Sequence, residues 1–269
     1  MPRLLLVAQE TGGVGKSTVT RGLAEAVPDA AILEIEAVPR LTEFATARGP
    51  NEPGRVQHFA MRATREAIEA SGGKAARAEF DRVINAIYTA TTPSLVDIGA
   101  NTAASLVGIL KEEAPTLKQD GIELGLVVVV AAEAAALADA GKLLQGSREW
   151  AGARFVVANG VRGAVDPMIL KQVVGDATVT HLRGFEFEDV TREILTAGQL
   201  RGIGQLDRAG LVKQTSPAQA GRILRDLTAF RLAVMEAVEP AALWLVGEDA
   251  AGPAAVGTRK GGARHGNNA

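Results

Sequence analysis

The feature that most constrains the fold is a series of short, nearly continuous apolar runs separated by longer amphipathic segments. Residues 4–8 (Leu-Leu-Leu-Val-Ala), 31–35, 94–98, 124–130 and 154–158 carry such runs, and a weaker sixth spans residues 178–182. Runs of this length and composition suit strands covered on both faces, as in a parallel sheet between two helical layers. Between them, apolar residues recur at helical spacing over residues 17–26, 56–70, 75–88, 102–113, 134–150 and 167–174. This alternation predicts an α/β domain with a doubly wound, mostly parallel sheet flanked by helices. From Val190 the pattern is helical only. In residues 217–238, Ile223, Leu227, Phe230 and Val234 form one stripe, which predicts a closing helix docked on the sheet.

Composition narrows the function classes. Of 269 residues, 47% are hydrophobic but only 4% aromatic, so the core must be built from Ala, Val, Leu and Ile. With no cysteine, disulfides, thiolate metal sites and a cysteine nucleophile are excluded. The net charge of −2 argues against a strongly basic nucleic-acid protein. No apolar run approaches the roughly 20 residues of a bilayer span, and residues 4–8 are too few for a signal sequence. The expectation is a cytoplasmic protein without a membrane partner. Residues 1–248 read as a single domain and residues 249–269, rich in Gly and Ala, as a flexible tail. Arg259, Lys260 and Arg264 stand there with no acid in residues 250–269, so the body is more acidic than the total suggests.

Chemistry concentrates directly after the first run, in Glu10-Thr11-Gly12-Gly13-Val14-Gly15-Lys16-Ser17-Thr18, which opens the first helix. Glycines let the backbone curl so that successive N–H groups and a helix N-terminus face one anion. Lys16 adds a positive charge for the β- and γ-phosphates, and Ser17 a hydroxyl for Mg²⁺. The expected ligands are therefore ATP and Mg²⁺, with Gly12, Gly13, Val14, Gly15, Lys16 and Ser17 around the phosphates and Thr18 near the α-phosphate. Glu10 has no evident role beside a triphosphate.

This segment resembles the deviant Walker A loop of the ParA/MinD family of ATPases, Lys-Gly-Gly-Val-Gly-Lys-Ser/Thr, from Gly12 to Ser17. Three further segments follow in the family's order. Glu34-Ile35-Glu36 stands where the family carries Asp-x-Asp. Asp97, in Leu95-Val96-Asp97-Ile98-Gly99, resembles its Walker B and second switch, and Asn159 resembles its adenine-contacting Asn. The resemblance implies a P-loop fold and ATP hydrolysis, with Lys16, Glu36 and Asp97 catalytic, Ser17 and Asp97 on the metal, and Asn159 on the base. Plainer readings stay open for several of these. Glu34 and Glu36 suit solvated strand ends, Asp97 a helix cap with Asn101 or Thr102 as rivals, and Asn159-Gly160 a turn.

Two departures from the family pattern bear on rate and assembly. Thr11 replaces the signature lysine that reaches a partner's phosphates, leaving Lys142 or Lys111 as candidate substitutes in an ATP-dependent homodimer. Glu36 in place of Asp lengthens the reach by roughly 1.5 Å. Displacements near 1 Å cost about 100-fold in rate, so slow hydrolysis is expected. The resemblance implies a nucleotide-switched ATPase for plasmid or cargo partition, positioning or DNA transfer, working with a protein activator or adaptor. The alternative is a nucleotide-binding regulatory scaffold with little turnover. Arg201, Arg208, Lys213, Arg222, Arg225 and Arg231 form the candidate surface for non-specific DNA. A ligase on the same fold would need a substrate cluster, for which only Arg40, Arg48, Arg55, Arg62 and Arg65 are candidates.

Overall fold

The computed structural model describes residues 1–46, 54–61 and 74–248. Among them, seven strands form one parallel sheet: β1 (Arg3–Ala8), β2 (Ala31–Ile35), β3 (Val56–Phe59), β4 (Ser94–Ile98), β5 (Glu123–Val130), β6 (Ala153–Asn159) and β7 (Thr178–Leu182). Their order is β3-β2-β4-β1-β5-β6-β7. The helices are α1 (Lys16–Ala26), α2 (Thr42–Ala45), α3 (Lys74–Tyr88), α4 (Ala103–Gln119), α5 (Ala134–Gly146), α6 (Pro167–Val174), α7 (Asp189–Ile203), α8 (Arg208–Val212) and α9 (Pro217–Val246).

Strand β1 shows why an uninterrupted apolar run is needed. Leu4, Leu6 and Ala8 face a core shared with α3, α4, α5 and α6, while Leu5 and Val7 face a second core with α1, α7 and α9. Both faces are covered, so every position is apolar. The chain builds outward from β1 to one side through β2, β3 and β4, then crosses to β5, β6 and β7 on the other. The C-terminal end of β1 is thus a point where the winding reverses, which leaves a crevice above the sheet.

The structure corrects the expected elements in three places. Residues 56–59 are not the start of a helix but the edge strand β3, pairing in parallel with β2 from Ile32↔Val56 to Ile35↔Phe59. Four residues with a single fully buried side chain, Phe59, carry too little pattern to announce a strand. Residues 62–70, the rest of that expected helix, lie outside the described residues, as does the expected tail at 249–269. Second, α4 and α9 run past the ends predicted for them at residues 113 and 238. Proline removes one helical hydrogen bond and crowds the preceding turn, yet α4 continues through Pro115 to Gln119 and α9 through Pro240 to Val246. Leu117 beyond the first proline and Trp244 and Leu245 beyond the second are buried, so tertiary packing offsets the local cost. Third, α5 ends at Gly146 rather than near Trp150, and the buried Ser147 turns its hydroxyl onto Leu144 O at 3.2 Å. No helix among the described residues is long and apolar enough to cross a membrane.

The extended end of α9 is held by the sheet itself. The Trp244 ring lies over Gly125 of β5, where an added Cβ would come within 2.6 Å of it. Arg3 donates to Trp244 O at 2.6 Å, and Phe155 meets the ring at 6.4 Å between centroids. Gly125→Ala is therefore expected to destabilise the fold by about 1–3 kcal/mol through overpacking. A fall in the urea midpoint with an unchanged slope checks this; an unchanged midpoint would mean that the ring moves aside freely.

Candidate nucleotide-binding site

The loop between β1 and α1 is shaped by two glycines in the left-handed region, Gly13 at φ 74° and Gly15 at φ 95°. Gly15 is also the N-cap of α1, and no side chain caps that helix. Its first N–H groups therefore face the crevice without a side-chain acceptor, as an anion-binding helix terminus requires. The loop is braced from both ends. Gln9, fully buried, donates to Val129 O at 3.0 Å and Ala136 O at 2.9 Å, and accepts from Glu10 N. Asn159, also buried, donates to Val14 O at 2.9 Å and accepts from Val161 N at 3.1 Å. A Cβ on Gly15 would lie 2.2 Å from the Asn159 amide nitrogen, so this position needs glycine for space as well as for φ.

Lys16 enters the first turn of α1 and is buried among acids. Burial pushes its ammonium below the usual lysine range, opposed first by Asp97 and next by Glu36. Asp97, on β4, accepts from the Thr20 hydroxyl at 2.7 Å. Burial lifts its carboxyl up to about 6, against the Thr20 hydrogen bond and Lys16, with Glu34 and Glu36 adding to the rise. The register Glu34↔Asp97 sets those two residues side by side on neighbouring strands. Glu36 packs its carboxylate against Gly99, where a Cβ would come within 2.8 Å of Oε2, and pairs with Arg40 at 3.6 Å. Its carbonyl lies 2.8 Å from His58 Nε2 on β3. Ser17 and Thr18 are half-buried beside Lys16.

Glu34 has a different place from Glu36. It is fully buried, and its Oε1 accepts from Arg40 N at 2.6 Å and Leu41 N at 3.0 Å. It thereby ties down the backbone that follows β2. Glu10, unexplained by sequence, reaches the N-terminal turn of α4 and accepts from Ala104 N. That hydrogen bond links the loop to the segment following Asp97. Thr11 donates to Asp139 at 3.2 Å, and Asp139 pairs with Lys142 at 3.4 Å. Of the two candidate substitutes for the missing cation, Lys142 thus stands beside the loop, whereas Lys111 pairs with Glu149 beyond the far end of α5.

Sequence reasoning passed over Gln9, Thr20 and Arg162. The Arg162 guanidinium lies over Gly13, where a Cβ would come within 2.4 Å of it, and donates to Glu133 at 2.6 Å. That hydrogen bond holds the Glu133 carboxyl below its usual range. The only available signal was the position of Arg162, three residues after Asn159. The expected DNA surface is reduced by pairing. Arg222 is bound to Glu188, Arg231 to Glu25, and Arg201 donates to Glu43 O. Arg208, Lys213 and Arg225 are exposed. Of the candidate ligase cluster, Arg48, Arg62 and Arg65 lie outside the described residues. Arg40 pairs with Glu36, and Arg55 donates to the Ala24, Val27 and Ala30 carbonyls at the end of α1.

No family model matches this chain, and no curated protein matches it. Among solved structures, the chain is similar to the MinD cell division protein of Aquifex aeolicus, at 14% identity and TM-score 0.39, over 84% of this chain and 95% of that one. It is also similar to a McdA–ATP complex from Cyanothece, at 12% identity and TM-score 0.45, over 87% of this chain and 96% of that one.

Proposed function

We propose that the chain is a nucleotide-switched ATPase that binds Mg-ATP at Gly12–Ser17 and hydrolyses it slowly. One observation carries this reading above the others: a buried lysine flanked by Asp97 and Glu36 stands at the uncapped N-terminus of a helix that follows a glycine loop. Beside Lys16, the side chains of Ser17, Asp97 and Glu36 offer only oxygen donors. That set fits Mg²⁺, which favours one or two protein oxygens completed by phosphate and water. Among the described residues no three metal-binding side chains converge, so such a cation would depend on the nucleotide's own oxygens. When bound, Mg²⁺ supplies charge neutralisation at the β- and γ-phosphates.

The protein's own residues supply position and charge. The N–H groups of Gly12 to Lys16 receive the phosphates, Lys16 bridges the β- and γ-groups, and Thr18 stands towards the α-phosphate. Ser17 and Asp97 would hold the metal. Glu36 orients the attacking water and takes its proton as the bond between the γ-phosphorus and the bridging oxygen breaks. The Asn159 amide has two N–H bonds; one holds Val14 O, and the other is the donor for adenine. Turnover would then act as a timer for partition or positioning of a plasmid or cargo, or for DNA transfer. The partners would be a protein adaptor, a second copy of the chain and, through Arg208, Lys213 and Arg225, non-specific DNA.

The test is ATP hydrolysis by the purified chain, compared with Asp97→Ala. Asp97 must be ionised to hold a cation, and its carboxyl titrates at about 6. Protonation below that pH removes the ionised form, so kcat/KM is expected to fall about tenfold per pH unit on the acid side. A flat profile down to pH 5 would remove Asp97 from the metal. Tight nucleotide binding without turnover would favour the regulatory scaffold instead.

A further inference from the structure

We propose that Arg162 is a second cation of the phosphate site, acting on the phosphate chain from the turn that follows β6. The inference rests on the nucleotide reading and adds a residue to it. The turn is fixed at both ends, with Val161 N on the Asn159 side-chain oxygen at 3.1 Å and Gly163 N on Gly160 O at 3.1 Å. From it the Arg162 guanidinium reaches back to the loop, and its Nη2 lies 2.4 Å from where a Cβ on Gly13 would stand. That distance bounds the geometry whichever way the group is turned. A Cβ stands about 2.5 Å from its own amide nitrogen, and an oxygen accepting from that N–H lies about 2.9 Å beyond it. A phosphate oxygen on Gly13 N is therefore no more than about 8 Å from Nη2, the range over which charges act at physiological salt.

The guanidinium also has the donors for a closer approach. Nη1 is taken by Glu133 Oε1 at 2.6 Å, whereas among the described residues neither Nε nor Nη2 has an acceptor. Glu133 thus engages the nitrogen other than the one against Gly13, and it holds the cation at the loop while leaving donors for an anion. A guanidinium pairs with phosphate oxygens through just such charge-assisted hydrogen bonds. Other residues around the loop do not offer this. Thr11 brings no charge and donates to Asp139, and Lys142 pairs with the same carboxylate at 3.4 Å. About half of the Arg162 side chain is exposed, so its removal should leave the fold intact.

The experiment titrates wild type, Arg162→Ala and Arg162→Lys with ADP, ATP and inorganic pyrophosphate by calorimetry at low and high salt, with the melting temperature of each variant as a control. Loss of a phosphate cation predicts that Arg162→Ala weakens all three ligands alike, by roughly tenfold at low salt. The difference from wild type should shrink at high salt, because the interaction is one of charge. Arg162→Lys should recover most of the affinity, since it keeps the charge. Unchanged affinities in Arg162→Ala would overturn the proposal alone. A loss for ADP and ATP with pyrophosphate unaffected would also overturn it and place Arg162 on the nucleoside. A loss that Arg162→Lys does not recover, together with a lowered melting temperature, would make Arg162 a brace for the loop instead. A wild-type chain that binds none of the three would overturn the ATPase reading and this one with it.

Discussion

Replacing Lys16 by alanine is expected to weaken ATP and ADP binding by at least about 100-fold, the scale seen when one partner of a buried charge pair is truncated. Two effects act together. The substitution removes the buried cation proposed to face the phosphates, and it leaves Asp97 and Glu36 in a crevice with no lysine to oppose them. With Lys16 gone, the Asp97 carboxyl loses a cation that opposes the effect of its burial and rises further above its ordinary value. Titration with a fluorescent nucleotide at pH 7.5 provides the measurement. Equal affinity in wild type and Lys16→Ala would mean that the loop does not bind phosphates, and the ATPase proposal would fall.

The second large effect is on stability. Glu34→Ala is expected to cost about 3 kcal/mol, because it strips two buried backbone N–H groups, of Arg40 and Leu41, of a charged acceptor. Leu41 is itself fully buried, so water cannot simply replace the carboxylate there. Glu34→Gln retains the accepting oxygen and should cost less. Urea unfolding without nucleotide or Mg²⁺ separates this role from metal binding: a stability loss in the free chain supports the structural role. An Ala variant as stable as wild type would rule it out. The same variant should also slow turnover, since Arg40 sits on the held segment and pairs with Glu36.

Much of this architecture was legible because parallel strands buried on both faces must be apolar at nearly every position. The runs at residues 31–35, 94–98 and 178–182 coincide with β2, β4 and β7, and residues 167–174 with α6. The glycine loop was legible for a related reason. Left-handed φ at Gly13 and Gly15, and the lack of room at Gly15, leave few residue types able to stand there. Strand β3 was not legible, because its register comes from pairing with β2 and not from its own four residues. The helices α4 and α9 extend beyond residues 113 and 238 because Leu117, Trp244 and Leu245 are buried by packing against distant elements.

Glu34 and Glu36 mark the boundary most clearly. They are the same residue type two positions apart, Glu34 within β2 and Glu36 just past its end, and a solvated strand end suited either of them on sequence. One carboxylate closes onto the backbone of residues 40 and 41, and the other lies beside Gly99 and pairs with Arg40. Glu10 and Arg162 are similar cases, each assigned a partner by an element more than 25 residues away, at Ala104 and Glu133. Local pattern is enough to specify strands, helices and a glycine-shaped loop, since each follows from short-range geometry and solvent exclusion. Which polar side chain meets which depends on how helices and loops distant in the chain settle on the sheet, and one residue's neighbours along the chain carry no record of that.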